Sequence, residues 1–190
     1  MQETIVWEVI PKSEPTVIKN CPKCGGHAIF ENSGKFRVNA NQSKLDVWLI
    51  YQCRKCKATW NMTLLTRVNP REIDKELYKK FLDNDKELAK AYAFNVAMHM
   101  QNKSCLDYEE MAYEVKGNGI ELENFEGELY IDLCCEYPFD IRVDKILSYK
   151  LGVSRETIKK LVKKGCIQYD EEKNIEKAKL RKSMIIKINI

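Results

Sequence analysis

The feature that most constrains this chain is a pair of cysteine motifs, Cys21-Pro-Lys-Cys24 and Cys53-Arg-Lys-Cys56, separated by 28 residues. Two residues between cysteines let both sulfurs of a turn face one centre, and two such turns supply the four thiolates of a closed tetrahedral zinc site. Pro22 fixes one backbone dihedral, and Gly25 permits a sharp turn after the first motif. The pattern therefore predicts a zinc ribbon. Its predicted ligands are Cys21, Cys24, Cys53 and Cys56.

Other interpretations of these cysteines are a redox pair or an iron site. A thioredoxin-like redox motif needs a single CxxC in a βαβ setting, which the sequence lacks, whereas the spacing alone does not distinguish zinc from iron. His27 is nearby, but four cysteines already complete a tetrahedral shell. A closed site of this kind contributes to folding and leaves no coordination position for a substrate.

The eight cysteines and the start of the chain together indicate a compartment. The first residues, MQETIVWEVIPKSEP, contain acids and prolines where a secretory signal has a basic segment and an apolar core. Reduced thiols are the rule in the cytosol, so metal binding or burial explains the cysteines better than disulfides. We expect a cytoplasmic protein without a membrane partner, since no apolar run approaches the length of a membrane span.

Hydrophobic patterning predicts strands in the first part of the chain and helices after it. Residues 1–69 contain β-favouring segments such as TIVWEVI and KLDVWLIYQC. From Asn69-Pro70 onward the apolar spacing becomes helical, which predicts two helices with a break near residues 83–85. A short helix is expected over residues 108–115, and GELYIDLCC is expected to form a strand.

Residues 154–165, SRETIKKLVKKG, predict a helix with a basic face. Ser154 is a good N-cap and Gly165 a good C-terminal stop. Ile158, Leu161 and Val162 form a buried stripe, so the lysines lie beside it. The net charge of the whole chain is only +4, but residues 140–190 hold 14 Lys or Arg against 7 Asp or Glu. The positive charge is therefore concentrated near the C-terminus.

Most of the chain resembles an uncharacterised bacterial family, domain-of-unknown-function family 1062. The resemblance lies in SGKFRVNANQSKLDVWLIYQC between the cysteine pairs and in TWN at residues 59–61. It implies an architecture but no activity. The polar and aromatic side chains of this segment either close a hairpin or contact a nucleic acid or protein partner.

Residues 141–190 resemble the S4 RNA-binding domain. The segment IRVDKILSYKLGVSRETIKKLVKKGCI carries that family's order of residue types at Arg142, Asp144, Leu147, Ser154, Arg155, Gly165 and Ile167. The resemblance implies two short helices on a small sheet and a basic surface for structured RNA. The RNA-contacting residues that it implies are Arg142, Lys145, Arg155, Lys159, Lys160, Lys163 and Lys164.

These interpretations predict an α+β fold in three parts. Residues 1–69 form a β-rich zinc ribbon domain, residues 70–137 a helical connecting region, and residues 138–190 an S4-like domain of two helices and a small sheet.

The sequence favours a binding protein over an enzyme. It has only two histidines and no glycine-rich phosphate loop, and the adjacent Cys134 and Cys135 fit buried small hydrophobes better than a redox pair. We expect a non-catalytic, zinc-containing protein that binds structured RNA of the ribosomal or transfer RNA class. A zinc-dependent protein–protein adaptor is the first alternative. The second is an enzyme whose centre lies in residues 70–137, with acids such as Asp107, Glu109 and Glu110.

Overall fold

The computed structural model describes residues 3–41, 43–122, 125, 127–169 and 177–190. The chain divides into two compact units. The cysteine unit is Ser13–Met111, and the terminal unit combines Met1–Lys12 with Ala112–Ile190. The first strand of the chain therefore belongs with its C-terminal part.

The strands and helices are as follows. The strands are β1 (Glu3–Pro11), β2 (Thr16–Cys21), β3 (Gly26–Asn41), β4 (Lys44–Cys53), β5 (Thr59–Val68), β6 (Cys105–Asp107), β7 (Tyr113–Lys116), β8 (Glu128–Cys134), β9 (Ile167–Tyr169) and β10 (Ser183–Asn189). The helices are α1 (Lys75–Leu82), α2 (Lys86–Ala93), α3 (Val96–Gln101), α4 (Val143–Lys150) and α5 (Arg155–Lys163), and a 3₁₀ turn covers Pro70–Glu72. No helix among the described residues is both long and apolar enough to cross a membrane.

The cysteine unit is an antiparallel sheet in the order β5-β4-β3-β2-β6 with helices on one face. Buried and less buried side chains alternate along β4, as expected for a strand with one face in the core. Phe81 of α1 and Ala89 of α2 join this core. Each of the three helices begins at a capping side chain, Asp74, Asp85 or Asn95, which accepts a hydrogen bond from a backbone N–H three residues later.

The terminal unit is a five-stranded sheet in the order β7-β1-β8-β10-β9. β1 runs parallel to β8, and the other neighbouring strands are antiparallel. Helices α4 and α5 pack against each other, with Ile146, Leu147 and Ile158 fully buried. The unit therefore has a core of its own.

Contacts of Trp7 explain why β1 lies inside this sheet. Trp7 is fully buried, and its indole N–H donates to the carbonyl of Asn118 at 2.8 Å. The ammonium of Lys150 lies 5.5 Å from the centre of the Trp7 ring and donates to the carbonyl of Gly117. Gly117 has φ +99° and lies directly against the Val6 backbone, so a side chain at this position would collide with β1.

The predicted fold class, a β-rich ribbon followed by a helical middle and an S4-like domain, is wrong. Helices occupy only residues 75–101 of the middle part, and β6, β7 and β8 follow them. The helix expected over residues 108–115 is absent, because Tyr113 to Val115 pair with β1 instead. Helices α4 and α5 exist, but their sheet has five strands and includes β1 and β7, so it is not the small sheet of a two-helix module.

Candidate metal centre and basic surface

Two turns of the same geometry hold the four cysteines of the predicted metal site. The N–H of Gly25 donates to the carbonyl of Cys21 at 3.0 Å, and the N–H of Lys57 donates to the carbonyl of Cys53 at 2.9 Å. Both donors are in the left-handed region, with φ +73° at Gly25 and +58° at Lys57. The second turn therefore holds a lysine in a conformation that glycine adopts at lower cost.

The β3–β4 hairpin brings the two turns together. Phe30 of β3 is paired with Cys53 at the end of β4, and Cys21 at the end of β2 is paired with Gly26. The N–H of Arg54 also donates to the carbonyl of Ile29 at 2.8 Å, which fixes the second turn against β3. The hairpin expected between the cysteine pairs is thus present.

The ligand atoms of Cys21, Cys24, Cys53 and Cys56 all lie within 4.8 Å of one another. The Sγ atoms of Cys21 and Cys56 are 3.5 Å apart, and those of Cys24 and Cys53 are 3.8 Å apart. A tetrahedral centre with metal–sulfur bonds of about 2.3 Å requires sulfurs about 3.8 Å apart. The donor set and its spacing therefore fit a metal ion held by four thiolates.

Hydrogen bonds within the cluster shift the pKa values of two of its cysteines in opposite directions. A hydrogen bond from the backbone of Cys56 lowers the pKa of Cys53 to about 7, whereas a hydrogen bond with the Cys56 side chain raises the pKa of Cys24 to about 12. The cysteines of the cluster therefore share protons through hydrogen bonds. A bound metal ion would displace these protons, because only the thiolate form of cysteine is a ligand.

The other candidate ligands and nucleophiles lie elsewhere. His27 is exposed on β3. Cys135 is buried and donates to the carbonyl of Arg181 at 3.2 Å, and burial raises its pKa to about 12. Burial also raises the pKa of Cys134. Neither thiol is activated as a nucleophile.

The acids considered for an enzymatic centre do not form a buried group. Glu109 and Glu110 are exposed, and Glu110 forms an ion pair with Arg54 at 2.8 Å. Asp107 accepts a hydrogen bond from the backbone N–H of Glu109 at 3.0 Å, as in a turn.

The predicted basic helix, α5, has the expected caps, but Leu161 and Val162 of its predicted buried stripe are only half-buried. The Ser154 hydroxyl accepts a hydrogen bond from the N–H of Thr157, and Ile158 is fully buried. The lysines predicted on the outer face are all exposed, and Lys160 lies 3.5 Å from Glu156. These exposed lysines, hereafter the lysine face, are Lys159, Lys160, Lys163 and Lys164.

The other three predicted RNA contacts are engaged within the protein. The carboxylate of Asp144, which is fully buried, accepts hydrogen bonds from Arg142 at 2.8 Å and from Arg155 at 2.9 to 3.1 Å. Lys145 lies 5.4 Å from the centre of the Tyr113 ring. Both arginine side chains remain 44% exposed, so they can contact a ligand while Asp144 holds them.

A buried histidine was missed by the sequence reasoning. His99 is 1% exposed, with Nδ1 3.0 Å from the Ser104 hydroxyl and Nε2 3.4 Å from the Tyr51 hydroxyl. The Ser104 hydroxyl donates to the carbonyl of His99, so its oxygen is available to accept a hydrogen bond from the ring. A neutral ring with its proton on Nδ1 donates to Ser104, and Nε2 accepts from the Tyr51 hydroxyl. A single histidine on a short helix gives no sequence signal of such burial.

The burial of His99 predicts a loss of stability at mildly acidic pH. Burial lowers its pKa to about 4, while an unfolded histidine titrates near pH 6.5, so its contribution is complete above pH 6.5 and declines as pH falls toward 4. The loss should approach about 3 kcal/mol. Urea unfolding between these pH values measures the free energy of unfolding, which should depend less on pH in His99→Gln than in the native protein. His27→Gln, at an exposed position, is the matched control; parallel profiles for the native and His99→Gln proteins would contradict the prediction.

The fold and the cysteine cluster define a class: a two-unit, β-rich protein with four clustered cysteines whose spacing fits a metal ion. Within this class the chain belongs to the family described as "Protein of unknown function (DUF1062)", whose model matches residues 38–173. The match includes the second cysteine pair and α5 and begins after the first cysteine pair. Neither the curated proteins nor the solved structures contain a significant match.

Proposed function

We propose that this protein is a non-catalytic, zinc-containing protein that binds structured RNA, of the ribosomal or transfer RNA class, through the lysine face of α5. The observation that carries the proposal is the division of α5 into an apolar side, on which Ile158 is buried, and an exposed side with four lysines. Lysines that neutralise phosphates release counterions, which is the main sequence-independent contribution to nucleic-acid binding.

The two arginines beside the lysine face support this proposal. The guanidinium groups of Arg142 and Arg155 both bind the carboxylate of Asp144, and both side chains are 44% exposed. The buried carboxylate also orients both side chains before any ligand arrives, which lowers the entropy cost of binding. Arginine donates in a planar fork that matches phosphate oxygens.

Zinc in the cysteine cluster has a structural role in this proposal. Four thiolates complete its tetrahedral shell, so no position remains for a reacting water or substrate. The ion would link the β2–β3 and β4–β5 turns, whose ends carry the four ligands. Metal analysis of the purified protein should give one zinc per chain, and a coloured iron centre would contradict the choice of metal.

The test of RNA binding is the salt dependence of affinity. Changing Lys159, Lys160, Lys163 and Lys164 to Gln should weaken binding to a structured RNA and lower the slope of log K against log salt by about 0.7 to 0.9 for each phosphate that is no longer neutralised. The fold should persist, because Ile158 still packs. Fluorescence anisotropy between low and physiological salt measures both quantities.

A charge-matched variant controls for loss of net charge. Lys75, Lys79, Lys80 and Lys86 are exposed on α1 and α2 of the cysteine unit, and their change to Gln removes the same charge. This control should keep the native slope. An unchanged slope in the α5 variant, or no RNA affinity at low salt, would show that the lysine face is only solvated surface.

A protein–protein adaptor is the second candidate, and one observation favours it. Val96 and Met100 are 50% and 72% exposed, and they are four residues apart on α3 of the cysteine unit. Residues at this spacing lie on one side of a helix, so they form a small apolar surface. A stoichiometric partner that survives nuclease treatment and is absent from a Val96→Ser, Met100→Ser variant would support this function.

A further inference from the structure

The cysteine unit has a sheet face on the side opposite its core and helices. Along β4, Leu45, Val47, Leu49 and Tyr51 are buried in the core, and Asp46, Trp48, Ile50 and Gln52 alternate with them on the other face. Strand register places Arg37 and Thr63 on either side of Trp48, and Lys35 and Asn61 on either side of Ile50. The central residues of this outer face are Lys35, Arg37, Trp48, Ile50, Asn61 and Thr63.

Trp48 is half-buried at the centre of this face. The guanidinium of Arg37 lies 5.8 Å from the centre of its ring, as in a cation–π contact. By contrast, Trp60 belongs to the core side of the sheet, where its ring contacts Phe30 and Tyr51. Packing in the core therefore accounts for Trp60 and does not account for Trp48.

The two cations beside Trp48 and Ile50 favour an anionic ligand. The acids of this face are Asp46, which accepts a hydrogen bond from the N–H of Arg67 at 2.8 Å, Glu31, which pairs with Arg54 at 2.9 Å, and Asp107 on the edge strand β6. Lys35 and Arg37 are exposed. An unpaired nucleotide bound here would stack its base on the Trp48 ring and place its phosphates near Lys35 and Arg37. The Asn61 amide and the Thr63 hydroxyl lie in the same two rows of side chains and supply hydrogen bonds to the base.

We infer that the outer face binds an unpaired segment of RNA by stacking a base on Trp48, with Lys35 and Arg37 at the neighbouring phosphates. This inference relies on the proposed function for the class of ligand, but its site is on the other unit and uses different residues. It assigns the two units different tasks. The lysine face of α5 holds phosphates of a structured RNA, and the outer face holds bases that pairing leaves open.

The probe for this site is a fluorescein-labelled oligouridine of about 12 nucleotides, a length within the range that single-strand sites cover. Trp48→Leu, which keeps an apolar residue but removes the ring, should weaken binding roughly 5- to 150-fold. Trp48→Phe should keep most of the affinity. The salt slope should stay native in both variants, because neither removes a cation.

Quenching of intrinsic tryptophan fluorescence gives an independent readout. Saturating oligouridine should quench the fluorescence of the native protein and of Trp60→Phe, and the quench should disappear in Trp48→Phe although that variant still binds. A structural role for Trp48 would not produce this pattern. Native affinity in Trp48→Leu, or a quench that persists in Trp48→Phe, would overturn the inference.

Two further outcomes separate this inference from its alternatives. If the α5 glutamine variant keeps its slope while Trp48→Leu no longer binds oligouridine, the outer face is the RNA site and the proposed lysine face is wrong. If light scattering finds a dimer that Trp48→Leu converts to a monomer, and neither form binds oligouridine, then the outer face is a contact between copies of this chain and the inference fails.

Discussion

Removing the metal should unfold the cysteine unit. Structural zinc sites contribute on the order of 10 kcal/mol to folding, which is comparable with the whole stability of an ordinary domain. The four sulfurs join two turns that are otherwise held by a few backbone hydrogen bonds, and Cys21 and Cys53 belong to the buried core. A strong chelator should therefore abolish hydrogen-exchange protection in β2 to β5, while the separate core of the terminal unit keeps its protection.

A pair of single variants makes this expectation specific to the cluster. Cys53→Ala removes a buried ligand and should lose both the metal and the fold of the cysteine unit. Cys105→Ala is the matched control, because Cys105 is an exposed cysteine of the same unit outside the cluster. Metal analysis and circular dichroism measure the two effects. Full metal content in a Cys21→Ala, Cys53→Ala double variant would show that these cysteines are not the ligands.

The cysteine cluster and α5 could be predicted because their determinants are local. A two-residue spacing between cysteines specifies the turn, and the β3–β4 hairpin that joins the turns is continuous in sequence. In α5, Ser154 and the apolar stripe lie within a single segment, so capping and periodicity were enough.

The arrangement of the terminal unit could not be predicted, because it depends on pairing between distant segments. Trp7 and Val9 alternate as in any half-buried strand, and nothing near them indicates that Trp7 pairs with Leu133 or Val9 with Val115. The pairing of β7 with β1 also explains why the helix expected over residues 108–115 does not form, because tertiary contacts override local propensity. Charge patterns gave no indication that Asp144 is buried, because its burial depends on two helices that place arginines on either side of it.

Loss of the buried carboxylate at Asp144 should destabilise the terminal unit by about 2 to 3 kcal/mol, because hydrogen bonds to a charged group contribute about 1.5 to 3 kcal/mol and the arginine side chains left behind are 44% exposed. Asp144 is in the first turn of α4 and binds Arg155 at the start of α5, so one side chain fastens the two helices together. In Asp144→Ala, the guanidinium groups of Arg142 and Arg155 would lose the carboxylate that both bind and would repel each other, and a cavity would replace the carboxylate. Urea unfolding should give the free-energy change, and hydrogen exchange in α4 and α5 should locate it.

Asp140→Ala is the matched control for this experiment, because it makes the same chemical change in the same segment of the chain. Asp140 also pairs with a cation, Lys179 at 2.7 Å, but the side chains of this pair are 49% and 62% exposed. Exposed pairs contribute about 0 to 1 kcal/mol, because water solvates both partners once they separate. The two variants should therefore differ in free energy of unfolding by at least about 1 kcal/mol. Equal stabilities would mean that packing between α4 and α5, and not the carboxylate, holds Arg142 and Arg155 beside the lysine face.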